Sequence, residues 1–216
     1  MLQVPDHRRL LEFCIHKGYL NSVYKPLYKA KFYYLTQKGK DFIKDIGNFV
    51  QNYSFEERQI GGYSFAHKSL LIDAYFLLHK YWDIQDCINE WVLRIGRHKR
   101  EKFPDAIMLL GSQTKIAIEA ELDYKCTEAW KTVVARYDYD ITRQSYVHGV
   151  LIVTDKLYIY NGIRKRLFNI YPEFSNKAFI LTNLEILKTG KCLYQGKEMN
   201  LTEAVKTLEN RRCENG

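Results

Sequence analysis

FPDAIMLLGSQTKIAIEAELDYK, residues 103–125, is the stretch on which the fold turns. Two apolar runs flank the short polar turn GSQT, and that spacing predicts a β-hairpin. Asp105 begins the first run; Glu119 and Glu121 end the second. A hairpin brings those two ends together. Residues two apart on a strand project to the same side, so the Glu119 and Glu121 carboxylates share a face. A loop of three or five residues sets Asp105 opposite one of them on that face. A loop of four sets it opposite Ala120 and requires a bulge to restore convergence.

Three carboxylates on an otherwise apolar hairpin repel one another, and burial raises the cost. Their clustering points to a hard, oxygen-ligated cation, Mg²⁺ or Mn²⁺. Such an ion polarises phosphate and activates water, the chemistry of phosphodiester hydrolysis.

Working outward, helical spacing of Leu70, Leu71, Ala74, Leu77 and Leu78 predicts a helix over 64–82. Extended runs follow at 87–95, 103–110 and 115–122. A helix is expected over 127–141 with Thr127 as N-cap, then a buried strand over 147–153. Residues 156–168 are ambiguous, because Asn161-Gly162 interrupts a long helix, and 179–181 reads as another strand. The order α-β-β-β-α-β implies an α/β fold with a mixed sheet flanked by helices.

Residues 1–50 differ in character, and the polar stretch 51–63, with Gly61-Gly62, reads as a linker to a domain over 64–216. Asp6 is placed to cap a helix carrying Leu10, Leu11, Cys14 and Ile15, which stops at Gly18. An extended hairpin broken by Pro26 follows. Thr36 then caps a second helix with Phe42, Ile43 and Ile46 on one face. Tyr33, Leu35, Thr36, Lys38 and Gly39 match the YxLTxKG signature of many winged-helix domains. This first quarter therefore resembles the back end of a winged helix, without the helices that usually precede it. The resemblance implies DNA contact through its lysines, and a homodimer or partner protein completing the module.

The hairpin resembles the PD-(D/E)XK superfamily of restriction-enzyme-like nucleases, whose core order is also α-β-β-β-α-β. Pro104-Asp105 matches PD, and Glu119-Ala120-Glu121 matches (D/E)XK with Glu121 where lysine is usual. The resemblance implies Asp105, Glu119 and Glu121 as catalytic metal ligands, with Lys125, or else Lys115, supplying the missing cation. Glu90, on the preceding strand, and Asp73, on the preceding helix, are candidates for a further acidic ligand. Ala66-His67 opening a helix, with PDA and ExE, is similar to replication–relaxation proteins. That likeness implies a role in plasmid or other mobile-element replication or mobilisation. His67 itself reads best as making a local hydrogen bond at a helix start.

Charge agrees with a polyanionic partner. Net charge is +8 and pI about 9.1 over 216 residues, which favours DNA. Lys17, Lys25, Lys29, Lys31, Lys38 and Lys40 form one candidate surface. Arg97, Lys99 and Arg100 in RIGRHKREK, with Arg136 and Arg143 on the following helix, form another; GIRKR (162–166) is a third. The five cysteines show no CxxC pair, so neither a disulfide framework nor a zinc finger is expected, and they read as reduced packing residues. No apolar run approaches the roughly 20 residues that span a bilayer, and no signal-type stretch opens the chain, so a cytoplasmic protein away from membranes is expected. Walker A, GxGxxG and GxSxG motifs are absent from the sequence, and His16, His79, His98 and His148 show no metal spacing. Glu121 in the lysine position leaves a second reading open: a nuclease fold kept as a DNA-binding regulator or adaptor without catalysis.

Overall fold

Ile116, Ile118 and Ala120 alternate with Ala117 and Glu119 along the second arm of the hairpin, and every one of them is buried. A strand with both faces buried needs a layer on each side, and the computed structural model supplies both. It describes residues 7–25, 30–39, 41, 62–93, 103–144 and 146–214. The chain divides into two compact units, Met1–Ile60 and Gly61–Gly216, with the division inside the polar stretch 51–63.

In the first unit, helix α1 (His7–His16) precedes an antiparallel pair, β1 (Leu20–Lys25) and β2 (Ala30–Leu35), in register Leu20 to Leu35. Thr36 then acts as a cap: its hydroxyl accepts from the Gly39 amide at 3.1 Å and donates to the Gly18 carbonyl at 2.5 Å. Gly39 has a steric reason to be glycine, since a Cβ there would lie 2.1 Å from the Tyr19 carbonyl oxygen. The expected Asp6 cap and the face of Phe42, Ile43 and Ile46 lie outside the described residues.

The second unit is a seven-stranded mixed sheet in the order β3-β4-β5-β6-β7-β8-β9. Its elements are α2 (Gly62–Leu78), β3 (Ile84–Asn89), the one-turn α3 (Glu90–Leu93), β4 (Ala106–Leu110), β5 (Lys115–Glu121), α4 (Thr127–Thr142) and β6 (Gly149–Thr154). Then come α5 (Leu157–Leu167), α6 (Pro172–Ala178), β7 (Phe179–Asn183), α7 (Leu184–Lys188), β8 (Lys191–Tyr194), β9 (Lys197–Asn200) and α8 (Leu201–Glu214). Strands β5, β6 and β7 run parallel, and the other pairings are antiparallel. One face packs Ile116, Ile118, Leu151 and Val153 against Leu70, Ala74 and Leu78 of α2 and Leu208 of α8. The other packs Ile107, Val150, Ile152 and Phe179 against Trp130 and Val134 of α4 and Ile159 and Ile163 of α5. No helix among the described residues is long and apolar enough to cross a membrane.

Four local expectations need correction. Glu90 does not continue a strand: it opens α3, where the Asn89 side chain accepts from the Val92 amide at 3.3 Å as a capping residue does. Thr127 is the first helical residue of α4, after Cys126, which makes no side-chain cap bond. Asn161-Gly162 does not interrupt a helix. It lies inside α5, where Gly162 faces the Tyr124 ring so closely that a Cβ would sit 2.3 Å from it. Cys126 is exposed rather than a packing residue, whereas Cys192 is buried.

Candidate active site

The hairpin turn settles which carboxylates meet. Leu110 donates to the Thr114 carbonyl at 2.9 Å, and the Gln113 amide returns to the Leu110 carbonyl at 2.8 Å. The loop is thus three residues, Gly111 to Gln113, with Gln113 in the left-handed region at φ 65°. Ala106 pairs with Ile118, so one step further Asp105 stands opposite Glu119, on the side that Glu121 also faces. This is the carboxyl end of β5, where Glu121 lies beside Thr154 of β6 and Thr154 beside Asn183 of β7. Crevices at the carboxyl ends of parallel strands are the usual place for a ligand in such sheets.

Each carboxylate is held by the protein. Asp105 Oδ2 accepts from the Ala120 amide at 2.8 Å and lies 3.1 Å from His67 Nε2, while its backbone carbonyl accepts from the Glu90 amide at 2.9 Å. Glu119 Oε1 accepts from both Arg136 and the Tyr137 hydroxyl. Glu121 Oε1 accepts from Lys125, whose ammonium also lies 5.2 Å from the Trp130 ring centroid. In all three, the bonds fall on one oxygen. The second oxygen of each makes no hydrogen bond among the described residues, and none of them is among the fully buried polar atoms left without a partner.

Burial sets the electrostatics. It raises the Glu121 carboxyl to about 7 against the pull of Lys125, with Glu119 and Asp105 adding to the rise. Glu119 is raised too, by burial and by Asp105, against Arg136 and Tyr137. The hydrogen bond to Asp105 raises His67 despite its own burial. Three carboxylates face two permanent cations, Arg136 and Lys125. The cluster balances only while His67 or one carboxyl keeps a proton.

Asp105, Glu119, Glu121 and Lys125 are thus brought together, and His67 joins them. Its partner is 38 residues away in sequence, not a local one. Glu90 contributes its backbone amide to this corner. Asp73 is exposed on α2, and Lys115 is exposed at the far end of β5. Arg136 was expected on a DNA surface; instead it lies under Tyr137, 4.1 Å from the ring centroid, and holds Glu119. Arg143 is exposed at the end of α4. In the first unit, Lys38 is exposed and 5.4 Å from the Tyr19 ring centroid, and Lys17 is 5.7 Å from that of Phe13. Lys25 ends β1 and Lys31 lies on β2. Lys29, Lys40, Arg97, Lys99 and Arg100 lie outside the described residues.

Tyr137, Thr154 and Asn183 complete the site and went unread in the sequence. Asn183 donates to the Thr154 hydroxyl at 3.3 Å, and its Oδ1 accepts from the Glu185 amide, capping α7. The signal was there: the apolar runs of β6 and β7 both end in polar residues. Comparison of the chain with protein families, with characterised proteins and with solved structures finds no match in any of the three.

Proposed function

We propose that the chain binds DNA and hydrolyses its phosphodiester bonds with a divalent cation, on an architecture of the PD-(D/E)XK type. The order α2-β3-β4-β5-α4-β6, three antiparallel strands and then a parallel one, supports the architecture. The observation that carries the chemistry is the convergence of Asp105, Glu119 and Glu121 at one strand end, each held through one carboxylate oxygen.

The donor set fits Mg²⁺ or Mn²⁺. Among the described residues no three acidic, His or Cys side chains form a ready-made ligand group. Mg²⁺ seldom uses one; it keeps several waters and takes one or two carboxylates together with substrate phosphates. Asp105 and Glu121, with Glu119 beside them, would hold it. When bound, the ion would polarise the phosphate and lower the pKa of its water. The chain's own residues orient the centre. The Ala120 amide and His67 fix Asp105. Lys125 pairs with Glu121 and stands in for the superfamily's lysine, and Arg136 opposes the effect of burial on Glu119. Mobile-element replication or mobilisation is the setting that the sequence resemblance implies.

One observation favours a second reading. Arg136 and Tyr137 together clamp Glu119, as suits a nuclease fold kept as a DNA-binding scaffold. Nicking of supercoiled plasmid separates the two. Wild type should nick with Mg²⁺ or Mn²⁺ and not in chelator, and Asp105→Asn should lose about 100-fold or more of that rate with DNA affinity unchanged. Wild type that binds DNA without cleaving it would establish the scaffold reading. Absence of both cleavage and salt-sensitive DNA binding would remove the two together.

A further inference from the structure

A second polar feature lies one loop away from the carboxylates. Tyr124 directly precedes Lys125, and its ring packs against Gly162 of α5 and under the Arg166 guanidinium, 3.8 Å from the ring centroid. Beside that stack, the start of α4 and the end of α5 border an open, shallow cavity of about 440 Å³ lined by Thr127, Lys131, Lys165, Arg166, Asn169 and Tyr171. The volume falls within the roughly 300–1,000 Å³ of ligand pockets. Three cations line it and no acidic residue does.

Those cations are poorly compensated. Lys165 has no ion pair among the described residues. Lys131 meets only Glu128, and both side chains are more than half exposed, where pairing neutralises little. Arg166 lines the cavity, and its Nη1 is buried with no hydrogen-bond partner among the described residues, so this guanidinium is not fully satisfied within the chain. The first turn of α4 borders the cavity through Thr127, and its acidic residue, Glu128, is the one that meets Lys131. At the rim, Tyr171 is in a left-handed conformation at φ 46° and the residue is 66% exposed. A non-glycine residue in that conformation carries strain, and here it presents an aromatic face beside three cations. A phosphate flanked by a flat, unpaired base matches this combination.

We propose that this cavity seats one phosphate of a single-stranded segment of DNA, with Lys131, Lys165 and Arg166 on the phosphate and Tyr171 against the adjoining base. The inference rests on the DNA reading above and names the form of DNA that reaches the carboxylates: a strand with an unpaired nucleotide. The test is fluorescence anisotropy of the full chain with a labelled single-stranded oligonucleotide over a NaCl series, in chelator. Lys131→Ala/Lys165→Ala should flatten the plot of log affinity against log salt by about 1.4, roughly 0.7 for each lysine withdrawn from phosphate. Tyr171→Ala should weaken binding about five-fold or more while leaving that slope in place. Lys206→Ala, an equal charge change per residue at an exposed position of α8 across the sheet, should do neither. Salt-dependent binding by wild type that the double-lysine variant or Tyr171→Ala leaves unchanged overturns the cavity and spares the DNA reading. No binding of the single strand by wild type overturns the cavity, and failure to bind a duplex oligonucleotide as well overturns the DNA reading with it.

Discussion

Glu121 is buried more deeply than its single lysine compensates, with two carboxylates nearby, and its titration gives that burial a measurable consequence. Its folded value, about 7 against an ordinary 4.5, means that the folded chain holds a proton that the unfolded chain releases earlier. Stability of the metal-free protein should therefore fall as pH rises from about 4.5 to 7 and stay low above that, by about 3 kcal/mol. His67 slopes the same way: raised by Asp105, it stabilises the fold below pH 6.5, and that contribution is lost as pH climbs through its folded value. Urea midpoints in chelator should be higher at pH 5 than at pH 8, and Glu121→Gln should flatten the trend. A midpoint that rises with pH would contradict the burial argument. Arg136 gives a second test. Arg136→Met leaves the Glu119 carboxylate buried without its cation and should cost about 3–5 kcal/mol, most of it recovered by adding Glu119→Gln. The acids of this site were readable in the sequence, because strand alternation ties 119 to 121 and the turn ties them to 105. Their partners were not. His67, Arg136 and Tyr137 sit on helices whose rotation against the sheet depends on core packing, which no local pattern records.

Elements whose periodicity matched their packing were read correctly, and those shaped by one contact were missed. The hairpin over 103–125 and helix α2 announce themselves through periods of 2 and 3.6. Helix α5 did not, because Gly162 reads as a breaker when its role is to admit the Tyr124 ring. The C-terminal hairpin turns on Gln195 and Gly196, both in the left-handed region at φ 53° and 70°, as a two-residue turn demands. Its strands have only four residues each, too few to show a pattern. Helix α8 was there to be found: Leu201, Ala204, Val205 and Leu208 fall at helical spacing and all are buried. Turn chemistry also yields a prediction. Gln113 holds φ 65° with a side chain, so Gln113→Gly should stabilise the protein by about 0.5–1 kcal/mol. The register that sets Asp105 against Glu119 would be untouched. Thermal melting and the nicking assay check the two halves of that statement: a higher Tm with an unchanged cleavage rate.

At the scale of the whole molecule, both core layers and the entire seven-stranded sheet belong to Gly61–Gly216. The described part of the first unit offers one ten-residue helix and a two-stranded pair, and isolated two-stranded pairs are marginal in water. The larger unit should therefore fold without the smaller: a 61–216 fragment should unfold in one cooperative urea transition. Charge divides differently from core. Residues 1–60 hold 10 Lys and Arg against 6 Asp and Glu, and the remainder holds 23 against 19, so each unit carries +4 of the total +8. Removing the first unit halves the net charge while leaving Asp105, Glu119 and Glu121 in place. If its lysines touch phosphate, the fragment should show a shallower salt dependence of DNA affinity, by close to one unit of slope for each phosphate those lysines neutralise. Its metal-dependent nicking should persist at saturating concentration. A fragment with the full chain's salt slope would assign all phosphate binding to the larger unit. A fragment that binds as before yet no longer nicks would mean that the first unit acts on the reaction and not only on affinity.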